Sequence, residues 1–464
     1  MTFKGDVLSS QEKRASFLLA SIFGIRMLGL FMILPVFSLQ ASHFQEASPF
    51  LIGLALGMYG FSSGICQIFF GLLSDIWGRK LVISLALLIF ALGSFLAGEA
   101  SSINMLIAGR FLQGLGASGS SILALLSDLT RAESRTKCMA LLGAMIGLSF
   151  VISMILGPIL YGLIGLKGLF FLTAMLALFG IVILWTSVPN PKISVFHQDQ
   201  QFSFSTFKAA MSEGNVWRLN AGVFFLHAIL IGIFVAFPPL LWDNLKLTNF
   251  SLSFLYLAAL IPAFLTMIPL ILLAERKAKV KGFSIFSIIL LGLSTFLFLL
   301  GIQSMILMWI AFWMFFTGFI FLEAALPSWL SKICPLKARG TCFGFYSSFQ
   351  FFGAFFGGAI SGIFLANHSS KAVFILVILL CLFWLLIKVT IAPPPRQVTR
   401  MLSIPFLNPE NESQISSALK KIPGVVDVEM GGLDKTAYVR VEQSWEHLFN
   451  SASEEALQPC QKEP

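Results

Sequence analysis

Twelve long apolar runs decide what this chain can become. They fall at roughly 15–39, 50–73, 81–98, 104–127, 138–163 and 168–187, then at 218–241, 251–274, 283–301, 304–327, 341–365 and 372–391. A helix that crosses a bilayer needs about 20 apolar residues in succession, and each run reaches or approaches that length. Composition agrees: of 464 residues, 57% are hydrophobic, 11% are charged and 49 are Phe, with a mean hydropathy of +0.87. A soluble domain carries about 25% charged residues, so lipid is the solvent for most of this chain. With no water in the bilayer core to satisfy the backbone, the runs must be α-helices. The expected fold class is an all-α membrane protein of 12 transmembrane helices in two six-helix halves, followed by a small α+β module.

The loops between the runs give an orientation, because short cytoplasmic loops collect Lys and Arg. One set of segments holds Lys4, Lys13, Arg14, Arg79, Lys80, Arg131, Arg135, Lys137, Lys192 and Lys208, then Arg276, Lys277, Lys279, Lys281, Lys332, Lys337 and Arg339. The other set holds only Lys167, Lys246 and Lys371. The basic set should be cytoplasmic, which places both termini inside and the chain as a multi-pass protein of the inner (plasma) membrane. The net charge of +9 sits in these loops, so nucleic acid is not an expected partner. The first run, from Ala15, is too long for the core of a cleavable signal and lacks a small-residue cleavage site. The six Cys show no metal-ligand spacing and are expected as free thiols. No phosphate-binding GxxxxGK[ST] loop and no nucleophile–base constellation is present. No cofactor, no metal and no enzyme activity are therefore expected.

The chain repeats itself weakly. Asp75-Ile76-Trp77-Gly78-Arg79 lines up with Glu275-Arg276-Lys277-Ala278-Lys279, and Arg135-Thr136-Lys137-Cys138 with Arg339-Gly340-Thr341-Cys342. Parallel six-helix repeats with a site between them near the midplane are a recurrent transporter plan. The expected organisation is a half at 1–188, a cytoplasmic linker at 189–216 with a modest amphipathic piece around Phe202–Met211, a second half at 217–392, and a tail at 393–464. After Pro393-Pro394-Pro395 the pattern reads strand 399–406, helix 411–421, strands 425–430 and 436–442, and helix 444–457. That order, β-α-β-β-α, resembles a ferredoxin-like module without its last strand; a poorly ordered tail is the competing reading. The loop 406–410 holds no Cys, which disfavours copper or zinc carriage.

The most informative polar stretch is Gly71-Leu72-Leu73-Ser74-Asp75-Ile76-Trp77-Gly78-Arg79-Lys80, between the second and third runs. Its Gly71-x-x-x-Asp75-x-x-Gly78-Arg79-Lys80 pattern resembles the loop signature of the major facilitator superfamily. Arg110-x-x-Gln113-Gly114-x-Gly116-Ala117 in the fourth run resembles that family's second motif. Gly157-Pro158-x-x-Tyr161-Gly162 in the fifth resembles the glycine-proline motif of its proton-linked exporters. Arg26-Met27-Leu28-Gly29, His227, Leu322-Glu323-Ala324-x-Leu326-Pro327-Ser328 and Gln350-Phe351-x-Gly353, with the ferredoxin-like tail, look closer still to the YajR-type drug/proton antiporters. Ile76 stands where the loop motif usually has a base, and Ser153 and Tyr161 replace small glycine positions. The resemblance covers about the first 390 residues. It implies a proton-coupled secondary transporter that exports small lipophilic or drug-like molecules by alternating access. Its expected partners are protons, a small-molecule substrate and the lipid bilayer, and it is expected as a monomer. A proton-linked carrier of an organic anion or metabolite, and a transporter-like sensor acting through the tail, are the alternatives.

Two sets of candidate residues follow. Gly71, Asp75, Gly78, Arg79, Lys80, Asp128 and Arg135 are candidates for a gating latch. Asp75 would meet the positive end of the eleventh helix at Gly340-Thr341, Arg79 would bridge to Asp128, and Gly78 would permit the tight turn. Solvated loop charges are the plainer reading. In the membrane, ionisable residues are expensive and usually functional. His227 lies nine residues past Arg218, and Glu323 nine residues before Lys332, so at 1.5 Å per residue they share a depth. They are the candidate proton-coupling pair, against a structural hydrogen bond. Arg26, Arg110, Gln113 and Gln350 are candidate cavity residues. Arg26 needs a partner among Glu323, helix carbonyls, Gln67, Gln113 or an anionic ligand. Gly157, Pro158 and Gly162 are the candidate fifth-helix motif, and the small-residue stripes of helices 5 and 11 read as close packing that also permits sliding.

Overall fold

The computed structural model describes residues 9–130, 132–190, 214–245, 248–300, 304–334, 339–408, 411–431 and 436–461. The expected amphipathic piece at Phe202–Met211 lies outside them. Among the described residues, thirteen helices precede the tail: α1 (Ser10–Phe31), α2 (Leu34–Ala41), α3 (Pro49–Trp77), α4 (Arg79–Gly98), α5 (Ile103–Leu115), α6 (Gly119–Asp128), α7 (Ala132–Thr186), α8 (Gly214–Leu245), α9 (Asn249–Arg276), α10 (Val280–Leu300), α11 (Met305–Ile333), α12 (Arg339–Asn367) and α13 (Ser370–Thr390). The tail follows as β1 (Gln397–Ser403), α14 (Glu412–Lys420), β2 (Val425–Gly431), β3 (Thr436–Glu442) and α15 (Glu446–Gln461).

Ten helical stretches among the described residues are long and apolar enough to cross a membrane. One of them, Lys137–Thr186, has 50 residues. At 1.5 Å per residue it would run about 75 Å, more than twice a bilayer core. It is broken at Gly165, whose φ of 65° no helix contains. That makes it two crossings, where the sequence suggested a short gap. The fourth apolar run is split into α5 and α6 at Gly116–Ser118. At Gly116 a Cβ would stand 2.4 Å from the Ala86 carbonyl oxygen, so only glycine allows α4 and α5–α6 to approach this closely. Twelve crossings result. The first is also interrupted: α1 stops at Phe31, four residues before Pro35, whose ring cannot pack behind the carbonyl of residue i−4.

By contacts the chain divides into two compact units. One comprises residues 1–196, 218–326 and 344–391; the other comprises 197–217, 327–343 and 392–464. In the first, serine hydroxyls stitch helices together. Ser62 and Ser63 on α3 donate to the carbonyls of Phe111 and Gly114, and Ser120 and Ser121 on α6 donate to those of Gln67 and Phe70. Polar groups bonded in this way replace the hydrophobic drive that lipid removes. Helices α3 and α12 meet along glycines. A Cβ at Gly53 would lie 2.2 Å from the Gly358 carbonyl oxygen, and one at Gly362 would lie 2.8 Å from that of Pro49. The Ser38 hydroxyl donates to the Phe234 carbonyl at 2.8 Å, and Gly162 abuts Asn249. These contacts close the end of the bundle opposite the Gly71–Lys80 turn.

In the second unit, the tail forms a three-stranded antiparallel sheet in the order β1-β3-β2, with α14 and α15 packed on it. Ile404, Ile415, Leu419, Val428, Val439, Phe449 and Leu457 form its core. The elements fall within a few residues of the expected β-α-β-β-α pattern. The Arg440 guanidinium on β3 is buried and donates to the Cys334 carbonyl, just past the end of α11, at 2.7 Å. A cation there also complements the negative end of the helix.

Candidate functional site

The two ionisable side chains placed at one depth, His227 on α8 and Glu323 on α11, meet. His227 Nε2 lies 3.8 Å from Glu323 Oε2. Gln350 on α12 joins them, with its Nε2 at 2.8 Å from His227 Nε2 and donating to Glu323 Oε1 at 3.3 Å. On the other side of the ring, His227 Nδ1 is 3.2 Å from the Val223 carbonyl oxygen. A carbonyl can only accept, so Nδ1 carries the proton in this arrangement and Nε2 is an acceptor for the Gln350 amide. The chain of bonds is then self-consistent: Val223 carbonyl, neutral imidazole, Gln350 amide, Glu323 carboxyl. Three helices, α8, α11 and α12, each supply one member. The His227 side chain is 12% exposed and that of Glu323 is 39% exposed, so the carboxyl is the more open of the two. Phe319 packs edge-on to the imidazole at 5.9 Å between centroids.

The first half presents a second cluster. Arg26 is buried and donates through Nη2 to the Tyr59 hydroxyl at 2.6 Å; its guanidinium lies 5.3 Å from the Phe90 ring centroid. Tyr59 was not anticipated: depth can be counted along a helix, but the direction of a side chain around it cannot. Arg110 is also buried. It donates to the backbone carbonyls of Ala55 and Leu56, each at 3.3 Å, and to Gln113 Oε1 at 2.8 Å. Gln113 in turn donates to the Ser94 hydroxyl at 2.7 Å. The Arg110 guanidinium lies 5.3 Å from the Tyr59 ring centroid, so the two arginines flank one tyrosine. Gln113 thus serves Arg110 rather than Arg26. Tyr59 also touches Phe351 of α12, with ring centroids 6.0 Å apart.

At the Gly71–Lys80 turn, Gly78 breaks α3 from α4 with φ 92° and ψ 142°, a conformation that a side chain would resist. The break aims Arg79 back into the helix ends. Its guanidinium pairs with Asp75, bonds Asp128 Oδ2 at 2.9 Å and bonds the Ser74 hydroxyl at 2.7 Å. Gly71 accepts from that same hydroxyl through its carbonyl. Lys80 reaches a different place: Nζ donates to the Val188 carbonyl at 2.6 Å, just past the end of α7, and lies over the Trp185 ring. The side chains of Arg135 and Gly340 lie outside the described residues, so the expected contact of Asp75 with the eleventh crossing does too. In the fifth crossing, Gly157 faces the Met32 carbonyl oxygen, with a Cβ position only 2.4 Å away, and Pro158 follows it inside α7. Gly162 faces Asn249 of α9.

This arrangement of twelve crossings with the Gly71–Lys80 turn has counterparts. The model of the Major Facilitator Superfamily matches residues 19–240 and 219–422. The chain belongs to the Major Facilitator Superfamily. It is 36% identical over 451 residues to the inner membrane transport protein YajR of Escherichia coli (strain K12), covering 94% of this chain and 96% of that protein. It is 32% identical over 141 residues to the class H tetracycline resistance protein of Pasteurella multocida, covering 30% of this chain and 34% of that one. Among solved structures, it resembles the inward-facing, occupied form of a bacterial homolog to the human lysosomal transporter Spinster, with a TM-score of 0.67. That likeness spans 82% of this chain and 97% of that one at 13% identity, and so concerns the fold. As a member of this superfamily the chain is a multi-pass membrane transporter, and not an enzyme.

Proposed function

We propose that this transporter is a proton-coupled exporter of small lipophilic molecules in the inner membrane, and that His227, Gln350 and Glu323 form its proton site. The observation that carries this reading is the continuous bond path from the Val223 carbonyl through His227 and Gln350 to Glu323. In that path Gln350 can donate to His227 only while Nε2 is unprotonated. Proton arrival at Nε2 forces the Gln350 amide to rotate and leaves the imidazolium facing the Glu323 carboxylate at 3.8 Å. One proton therefore rearranges contacts between α8, α11 and α12, which is what a coupled conformational change requires.

With the Gly71–Lys80 turn on the cytoplasmic side, the closed end of the bundle faces outward and the substrate path opens inward. Arg79, holding Asp75 and Asp128 together, keeps the inner ends of α3, α4 and α6 as one rigid piece. Aromatic contacts between the halves, Phe150 with Phe316 and Phe319 and Tyr59 with Phe351, supply an apolar surface for a lipophilic substrate. The partial likeness to a tetracycline resistance protein supports export. A pH-gradient transport screen in proteoliposomes, wild type against Glu323→Gln, tests the reading. Wild-type transport should follow the gradient and the variant should transport without it; a variant that still couples to the gradient removes Glu323 from the proton site.

A further inference from the structure

Arg26 and Arg110 place two guanidinium groups around Tyr59, both within the apolar bundle and both nearly without exposure. Their recorded partners are neutral: a phenol hydroxyl, two backbone carbonyls and an amide oxygen. Arg26 Nε is buried with no hydrogen-bond partner among the described residues. The described acids of the first half are engaged elsewhere. Asp75 and Asp128 hold Arg79, Glu99 holds Lys167, Glu46 accepts from Asn104, and Glu12 accepts from the Ser9 backbone N–H. In the second half, Glu323 is bonded to Gln350 and faces His227. Buried charge without a counter-charge is costly in a low-dielectric interior, and a planar guanidinium with a free donor is shaped for an oxyanion.

We infer that the Arg26–Tyr59–Arg110 cluster is the binding site for the anionic group of a small aromatic or amphipathic solute, a carboxylate or sulfonate. Arg26 Nε and Nη2 supply the donors, Arg110 supplies the second positive charge, and the Tyr59, Phe90 and Phe351 rings receive the apolar body. Phe351 is the residue after Gln350, so the anion site and the proposed proton site abut across one helix step. This names a substrate class for the transporter proposed above and rests on that reading for carriage, though not for binding.

The test is binding to the full-length protein, purified in neutral detergent, by thermal stabilisation and equilibrium titration with naphthoate, naphthamide and naphthylmethylamine. The expected result is a preference for naphthoate over the amide and the amine of about tenfold or more, the scale of a charge-assisted hydrogen bond. Arg26→Gln should bind all three alike. Equal binding of naphthoate and naphthamide by the wild type overturns the inference, as does a preference that survives in Arg26→Gln. If Arg26→Gln does not fold, Arg26→Lys serves instead: it keeps the charge but loses the planar fork, so its naphthoate preference should fall, and an undiminished preference would contradict the assignment. Stabilisation by phosphatidylglycerol but not by naphthoate would assign the cluster to a lipid headgroup and also overturn it. Because these are binding measurements, they stand or fall independently of whether Glu323→Gln uncouples transport.

Discussion

The helix pair α1–α2 with α7 and its counterpart α8 with α12 meet at the same three rungs, built from different chemistry. In the first half, the Ser149 hydroxyl donates to the Gly24 carbonyl and that of Ser153 to the Leu28 carbonyl, each at 2.8 Å, while Gly157 sits bare against Met32. In the second half the matching rungs are Gly353 on Phe224, Gly357 on Ala228 and Ser361 on Gly232. There, Cβ atoms at Gly353 and Gly357 would lie 2.2 and 2.4 Å from backbone oxygens. At these rungs the first pair is held by directional hydrogen bonds, whereas Gly353 and Gly357 make bare backbone contacts; the directional bond between α8 and α12 is that of Gln350 with His227. The titratable chemistry differs in the same sense. Leu226 stands at the repeat position of Arg26, and His227 lies one residue on, about 100° around the helix. Arg26 turns into its own half, and His227 turns toward α11 and α12. One half holds fixed charge on a bonded scaffold, and the other holds the proposed proton site on helices packed backbone to backbone.

The sharpest way to break this comparison is at the glycine rungs. Gly353→Ala should cost about 1–3 kcal/mol of stability in thermal unfolding of the purified protein, because the methyl would meet the Phe224 backbone. A next effect should separate the two capping lysines. Lys80 and Lys281 each donate to a valine carbonyl 108 residues later, Val188 and Val389, but the Lys80 bond is buried and the Lys281 bond is exposed. Lys80→Ala should therefore cost about 1.5–3 kcal/mol and Lys281→Ala about 0–1 kcal/mol; equal losses would mean that burial is not what distinguishes them. The turns differ as well. Gly78 takes φ 92°, whereas Ala278, its repeat partner, takes φ 51° with a side chain. Ala278→Gly should raise stability by about 1 kcal/mol, the left-handed penalty less the entropy glycine loses; a destabilised variant would show that the alanine is not strained. The smallest change is expected at the serine rungs: Ser153→Ala should cost about 0.6 kcal/mol, the mean for interhelical hydrogen bonds in membranes. If that loss matched or exceeded that of Gly353→Ala, the contrast between the halves would collapse.

Much of this was legible in the residues, and the rest was hidden for a physical reason. Apolar length gave the crossings, and counting from basic helix ends put His227 and Glu323 at one depth, where they meet. Composition change and alternation in 436–442 gave the tail sheet to within a few residues. What stayed hidden depends on rotation about a helix axis or on a backbone approach between distant segments. Tyr59 as the partner of Arg26 is of the first kind. The break at Gly116 and the reach of Lys80 to Val188 are of the second kind. Gly78 was legible because a single glycine between two apolar runs, with charges on both sides, leaves a tight turn as the economical reading.

The division of labour between the halves rests on Glu323 exchanging a proton within reach of His227 and Gln350. Infrared difference spectroscopy of the reconstituted protein during a titration with acid observes that proton directly. The wild type should show a carboxylic acid band that disappears as pH rises, absent in Glu323→Gln and displaced in pH in His227→Gln, while Arg26→Gln leaves it in place. A titrating band that persists unchanged in Glu323→Gln, or no titrating carboxyl in the wild type, would contradict the assignment.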